Sequence, residues 1–586
     1  MTGNHWEVVS AIGAGGMGSV YLVKDEDGRQ YALKTFNNSL FHRPSAWRLL
    51  EQEAVIWVLL DHHPNIVPAL WCERIEDMLC ILLEYVPGGN VEQLLESGPL
   101  APSVALGYGL AICDAMVYAH DKLRLVHRDI KPANCLVDSR GHLKLTDFGI
   151  AWLPDPKHPN EEQAPSGTAG YKAPEQCDFG TRVDTRADLY AFAATFFQMI
   201  TGVNVQRLAA TSSSLLLFQH VSSNRRLRRI SPDLRDLIVR CLQPQPAERP
   251  SGFPEVRAEL SAIHRRITKL PAASPPGITP LRVDELQNKG VALQILGWYE
   301  PALDCYERAL RILPQDYELW LGKSAVLHLL GRNEAAMSAS DQGLELEPEC
   351  GDLWNNRGMA LLDTSQLEEA LGSFSRALDC DSTDPVFWRN KGFALYRLGR
   401  LPEAVEAYDR GLSHQRRDSR LYQYKAQALV GLGRLEEAIG CLKEGLDVSP
   451  LHPGLYHGLG VAYHRLGLLT QAVAALNHAL EILPNDVGIL RSKALVLLAV
   501  GEWMQGLQVV DHALNAVPDD YQLLKTRATL LWRLERTEEG IRVFGDLWRT
   551  IQGDERLQAE LRDHTAGLGI PENWLLEGVV GHGSGT

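Results

Sequence analysis

The sequence predicts two folds in tandem, an α/β domain followed by an all-α repeat solenoid, and three observations carry that expectation. A glycine-rich loop at Gly13 runs into an alternating, strand-like Tyr31-Ala32-Leu33-Lys34. From residue 283 onward, prolines and small residues recur every 34 positions. Between the two lies Leu270-Pro271-Ala272-Ala273-Ser274-Pro275-Pro276-Gly277, whose composition suits an extended, semi-stiff linker.

The first element reads Gly13-Ala14-Gly15-Gly16-Met17-Gly18-Ser19-Val20, and a charged turn from Asp25 to Arg29 separates it from Lys34. That pattern predicts a hairpin lid over a nucleotide. Glycines 13, 15 and 18 let the backbone approach phosphates, while Val20 and Ala32 offer small apolar faces to an adenine ring. No helix opens at this loop, as a Rossmann or Walker site would require. A helix is expected over Ala46 to Leu60, with Glu51 and Glu53 about 200° apart around it, so only one can face Lys34. Two polar clusters follow, His127-Arg128-Asp129-Ile130-Lys131-Pro132-Ala133-Asn134 and Asp147-Phe148-Gly149. Each motif alone is weak; their order and spacing together describe a phosphotransferase.

With those residues in hand, 1 to about 268 resemble a eukaryotic-type Ser/Thr protein kinase domain, closest in wording to its bacterial members. The resemblance implies a bilobal fold with ATP and Mg²⁺ as cofactors. Ile12 to Val20, Ala32, Lys34 and Leu83 would surround ATP, and the backbone of Glu84 and Val86 would bind the adenine edge. Lys34 would pair with the α/β-phosphates and with a helix glutamate, which the distance to His63-Pro64-Asn65-Ile66-Val67 assigns to Glu53. Asp129 would orient and deprotonate the acceptor hydroxyl, Lys131 would steady the γ-phosphate, and Asn134 and Asp147 would hold two Mg²⁺ ions. Gly167-Thr168-Ala169-Gly170-Tyr171-Lys172-Ala173-Pro174-Glu175 resembles the segment that docks a peptide, with Thr168 touching the catalytic aspartate. Asp188 and Arg249 match buried polar anchors, Arg249 being the expected partner of Glu175.

One departure concerns switching. Many relatives order this region through a phosphate paired with the arginine beside the aspartate, here Arg128. Between Gly149 and Gly167 the only hydroxyl side chain is Ser166. Glu161 and Glu162 stand there instead, either as carboxylate substitutes or as plain solvated charges. The expected activity is ATP-dependent phosphorylation of Ser/Thr hydroxyls on protein substrates. The rival is a nucleotide-binding pseudokinase scaffold whose repeats carry the function.

The repeats are laid out with regularity. Pro314, Pro348, Pro450, Pro484 and Pro518 lie at multiples of 34, as do Ala302, Ala336, Ala370, Ala404, Ala438 and Ala472. Gly290, Gly358, Gly392 and Gly460 keep the same step. This is the tetratricopeptide (TPR) signature: small residues let paired helices approach, aromatics such as Trp354, Phe374, Trp388 and Tyr408 fill the gaps, and proline stops the second helix. The expected plan is a kinase domain over 1–268, a linker over 269–282, about eight repeats over 283–554, and a capping helix with a loose Gly/Ser tail over 555–586.

Of the 586 residues 45% are hydrophobic, enough for a globular core plus a solenoid. No apolar run approaches the roughly 18 to 20 residues of a membrane span, and Met1 to Val9 lacks a signal-peptide profile, so a soluble cytoplasmic protein is expected. Ten cysteines without CxxC pairs read as free thiols. The net charge of −15 divides into −2 over residues 1–270 and −13 beyond, which argues against nonspecific nucleic-acid binding. The basic run Arg225 to Arg229 suits either a docking patch or a solvated loop. Positions 2, 5, 9, 12 and 13 of each repeat should line the concave face. They are acidic at first, with Asp284, Glu318, Asp352 and Asp363, and then basic, with Arg389, Arg397, Arg420, Arg465, Arg491, Lys525 and Arg533. Such a groove would take an extended protein or peptide partner through acidic side chains or a C-terminal carboxylate, unless the arginines simply pair with neighbouring acids.

Overall fold

The computed structural model describes residues 6–15, 18–36, 53–75, 78–148, 167–177, 183–210, 214–225, 227, 231–277 and 280–571. Two compact units divide it, Met1–Gly331 and Arg332–Thr586.

The first unit opens with an antiparallel sheet in the order β1-β2-β3-β5-β4, formed by Glu7–Gly15, Gly18–Lys24, Gln30–Phe36, Ala69–Ile75 (β4) and Met78–Glu84 (β5). The turn between β2 and β3 closes because the Asp25 carboxylate accepts the Arg29 amide at 2.8 Å and the Tyr31 hydroxyl at 2.9 Å. Register sets Val20 opposite Lys34 and Ala32 opposite Leu83, which puts all four on one face of the sheet. Below it, the Leu145 amide donates to the Asn65 carbonyl at 2.8 Å and the Val67 amide donates to the Leu145 carbonyl at 3.0 Å. These bonds tie the segment leading to the sheet to a small hairpin, β6 (Cys135–Val137) and β7 (Leu143–Leu145).

The helical part is built on Pro102–Leu123 and Arg186–Thr201, and every residue from Ala187 to Thr201 is buried, as suits a helix packed all round. Pro102–Leu123 amends one expectation: among the described residues it is a helix long and apolar enough to cross a membrane, with a window hydropathy of 1.3. Since 67% of that window is buried inside the fold, it is the core helix of this lobe.

The unit does not end at the 269–282 segment. Helices Val283–Ile295, Tyr299–Ile312 and Tyr317–Leu329 belong to it, because Val283–Ile295 packs against β4.

Among its described residues the second unit is built of helices alone. First helices of its hairpins begin at Gly351, Pro385, Ser419, Pro453, Val487 and Tyr521, and second helices at Leu367, Leu401, Leu435, Leu469, Trp503 and Thr537. The close approach within a hairpin is set by volume: a Cβ on Gly392 would stand 2.5 Å from the buried Tyr408 ring, and one on Gly358 2.6 Å from Phe374. Where Gly399, Gly433, Gly467 and Gly501 take the left-handed turn between helices, Glu535 adopts φ 60° in the last repeat. Helix Glu555–Gly567 closes the stack, burying Leu561 beside Phe544 and Trp548.

Candidate active site

A cavity of about 850 Å³ lies under the sheet. Ile12, Gly13, Gly18, Val20 and Ala32 form its roof, Leu83, Glu84 and Val86 its back, and Asp129, Lys131, Asn134 and Asp147 its floor. Ala14, Gly15 and Ser19 continue the β1–β2 pairing, although Ser19 turns its carbonyl to the Thr35 hydroxyl and does not line the cavity. Gly16, Met17 and Glu51 lie outside the described residues, as do Glu161, Glu162, Ser166 and most of the Arg225 to Arg229 run. Trp57, Asn90, Gln93 and Leu136 also line the cavity and carry no sequence signal of their own.

Lys34 extends from β3 to meet two carboxylates, Glu53 and Asp147, the latter at 2.9 Å. Glu53 sits on helical residues 53–59 and is 1% exposed. Burial works against the Lys34 ammonium, but Glu53 and Asp147 outweigh it and lift its pKa above the ordinary lysine value. Burial likewise raises the Glu53 carboxyl against the pull of Lys34. For Asp147 burial is overcome by Lys34, and its pKa falls below the usual carboxylate range.

The floor is a hydrogen-bonded triangle. Thr168 donates from Oγ1 at 2.6 Å and from its amide at 3.1 Å to Asp129 Oδ1, while Lys131 Nζ donates to Asp129 Oδ2 at 2.7 Å and to Thr168 Oγ1 at 2.8 Å. Asn134 Nδ2 donates to the Asp129 carbonyl at 2.9 Å. The loop itself is pinned from beneath: fully buried Asp188 accepts the amides of His127 at 2.9 Å and Arg128 at 2.8 Å. Burial pulls the Arg128 guanidinium down to about 10, with Asp188 opposing. Phe148 packs edge-on to Trp57 and against His127, joining the Lys34 side of the cavity to the floor. Arg249 grips Glu175 with two bonds of 2.6 and 2.8 Å, its side chain wholly buried. Cys135, next to Asn134, is buried and its thiol is pushed up to about 12 by desolvation, so it packs as an inert apolar group.

The arrangement can hold an anionic ligand against Lys34 while presenting a carboxylate and an ammonium to its far end. Residues 6–260 match the protein kinase domain family, and residues 286–316, 338–385 and 425–487 match tetratricopeptide repeats. The chain thus joins a protein kinase domain to a TPR array. Its relatives are bacterial serine/threonine-protein kinases. It is 30% identical over 268 residues to a probable serine/threonine-protein kinase of Clostridium perfringens, covering 45% of this chain and 39% of that one. It is 30% identical over 273 residues to PknB of Mycobacterium leprae (44% and 43% covered), and 35% identical over 199 residues to PrkC of Bacillus subtilis (34% and 30%). The chain spans about two fifths or less of the length of these relatives.

In the second unit, the expected run of cations on the first helices is present but largely engaged. Arg389 pairs with Asp418 at 3.1 Å, Arg491 with Asp520 and Lys525 with Glu560 at 2.5 Å, and Arg465 donates to the Val430 carbonyl at 3.2 Å. Arg420, 61% exposed, lies 3.7 Å from Asp418, and Arg397 and Arg533 are exposed. Asn390 to Asn355 and His457 to Ser492, both 2.8 Å, join neighbouring first helices along the same face.

Proposed function

We propose that this protein is an ATP-dependent protein serine/threonine kinase that transfers the γ-phosphate to Ser/Thr hydroxyls of protein substrates. The observation that carries the reading is the Asp129–Lys131–Thr168 triangle set across one cavity from the Lys34–Glu53 pair. Bound ATP would supply the phosphoryl group, and a divalent cation, with Mg²⁺ the best match to oxygen ligands, would neutralise its phosphate oxygens. The residues present fit both: the carboxylate of Asp147 is 44% exposed on the cavity side, and Asn134, its amide nitrogen engaged by Asp129, keeps its oxygen as ligand atom. Glu53 fixes Lys34 where it can meet the α/β-phosphates. Asp129 orients the acceptor hydroxyl and takes its proton, and Lys131 steadies the γ-phosphate. Thr168 holds Asp129 and places the peptide-docking segment beside it.

The reading is tested by γ-phosphate transfer from ATP to a protein acceptor, comparing the wild type with Lys34→Met, Asp129→Asn and Asp147→Ala. Losses of at least about 100-fold are expected for each. Full activity in any of them would show the site misassigned, and a wild type without transfer would leave a nucleotide-binding scaffold.

The repeats serve partner or substrate recruitment in this reading. The first-helix face takes an extended peptide, with Arg397, Arg420 and Arg533 as the exposed contacts for its acidic groups. Arg389 and Arg491, held by carboxylates of the next repeat, serve the stack instead.

A further inference from the structure

Helix Val283–Ile295, the first of the TPR array, sends Lys289 to the carbonyl end of the helical residues 53–59 that bear Glu53. Its ammonium donates to the Leu59 carbonyl at 3.1 Å and to Asp61 Oδ1 at 2.6 Å. Leu59 is the last helical residue, so this carbonyl is one of those left without a partner by the helix itself, at the end where a cation is favoured. The site is enclosed: the Lys289 side chain is 11% exposed and that of Asp61 13%. Asp61 is also reached by Lys122 from the end of the core helix Pro102–Leu123, and its amide donates to the Tyr118 hydroxyl at 3.0 Å. Around this cluster Leu281, Asn288 and Ala292 face Val58, Leu60 and Trp71 across a narrow crevice, and Glu285 stands 3.7 Å from His62. Burial lowers the Lys289 pKa while Asp61 opposes the shift, as befits an ammonium taken out of water to meet a fixed partner.

We propose that Lys289 is a positioning residue for phosphoryl transfer: the first TPR helix caps the helix that carries Glu53, and so holds the Lys34–Glu53 pair in place. The proposal rests on the kinase reading above. Glu53 lies six residues, under two turns, before the capped carbonyl of Leu59, so loosening that end reaches the glutamate. The first repeat is then part of the working enzyme, while the later repeats remain available for partners.

The test uses the full chain with Lys289→Ala, Lys289→Arg and, as a control on the same TPR segment, Lys323→Ala, whose ion pair with Glu307 lies at the surface. Amide hydrogen exchange across residues 53–60 is expected to quicken about tenfold in Lys289→Ala, with Arg186–Thr201 unchanged, given the worth of a charge-assisted hydrogen bond at a helix end. Steady-state kinetics should show kcat/KM for ATP falling about tenfold, with most of it recovered in Lys289→Arg and none lost in Lys323→Ala. Unchanged exchange over 53–60 would overturn the cap. Faster exchange with unaltered kcat/KM would overturn the positioning role. A wild type that transfers no phosphate would sink the kinase reading and the positioning role with it, while the exchange measurement still decides the cap without turnover.

Discussion

Replacing Asp188 with asparagine changes almost no volume and removes one charge beneath the loop that carries Asp129. Its two oxygens accept the His127 and Arg128 amides at 2.9 and 2.8 Å, in a site from which water is excluded. A hydrogen bond to a buried charged acceptor is worth roughly 1.5–3 kcal/mol, a neutral one roughly 1. Asparagine keeps one bond in its neutral form and turns an NH₂ toward the other amide, leaving that amide unsatisfied. The expected loss is about 3 kcal/mol, which for a domain of this size lowers the midpoint of the kinase unfolding transition by about 6–12 °C. The loop also shifts, and a displacement on the order of 1 Å at a reacting group can cost about 100-fold. Phosphotransfer should therefore show kcat down by about 10- to 100-fold while KM for ATP moves less than about threefold, because the roof and back of the cavity are untouched. A variant within about threefold of wild type in kcat and within about 1 kcal/mol in stability would refute the reasoning, since neither amide would then depend on the charge.

Within the TPR array, Gly440→Ala should stabilise by about 1 kcal/mol because a Cβ there meets nothing within 4 Å, whereas Gly392→Ala should destabilise by about 2 as the same gain is overrun by contact with Tyr408; local hydrogen exchange reads both signs. Arg249→Ala, which strands the nearly buried Glu175 carboxylate, should cost about 3–5 kcal/mol in kinase-domain unfolding, and Arg249→Lys less, since one of the paired bonds survives. Burial lowers the pKa of His457 and of His564, so the unfolded chain takes up protons first: array stability should be full above about pH 6.5 and fall as pH drops through and below it. His457→Gln should flatten that slope in urea titrations at pH 7.5 and 5.5. Partner capture that survives Arg397→Glu and Arg420→Glu at low salt would remove the charged first-helix face from the recruitment reading.

The candidate site cluster was legible because the chemistry proposed for it dictates residue type and spacing: Asp129, Lys131, Asn134 and Asp147 sit within twenty positions, and all four reach one cavity floor. Gly358 and Gly392 were legible for a steric reason, since the partner ring stands sixteen residues on in the same hairpin and only hydrogen fits between. Lys289 was not. Its partner Asp61 is 228 residues away, and on an amphipathic helix a lysine that will be buried has the same appearance as one that will be solvated. The basic face was legible only in part. The cations stand on the first helices as the repeat positions imply, but the carboxylates that hold Arg389 and Arg491 are Asp418 and Asp520, each 29 residues on and each the N-cap of the next first helix. Those caps stand immediately before their helices, two places ahead of position 2 of the repeat.

That coupling of cap and neighbour makes the array a device whose length can be changed in whole steps. Excising residues 419–452 would bring Pro453 directly behind Asp418, so the cap that now opens Ser419 would open the following helix, and Arg389 would keep its carboxylate. Nothing in the geometry of a hairpin records how many hairpins precede it. The same freedom does not extend to the start of the array, where Leu281, Lys289 and Ala292 are shaped to one particular surface. Growth and loss of repeats during the history of such a chain would thus be confined to its distal end, leaving the junction with the kinase as the fixed point from which reach is measured.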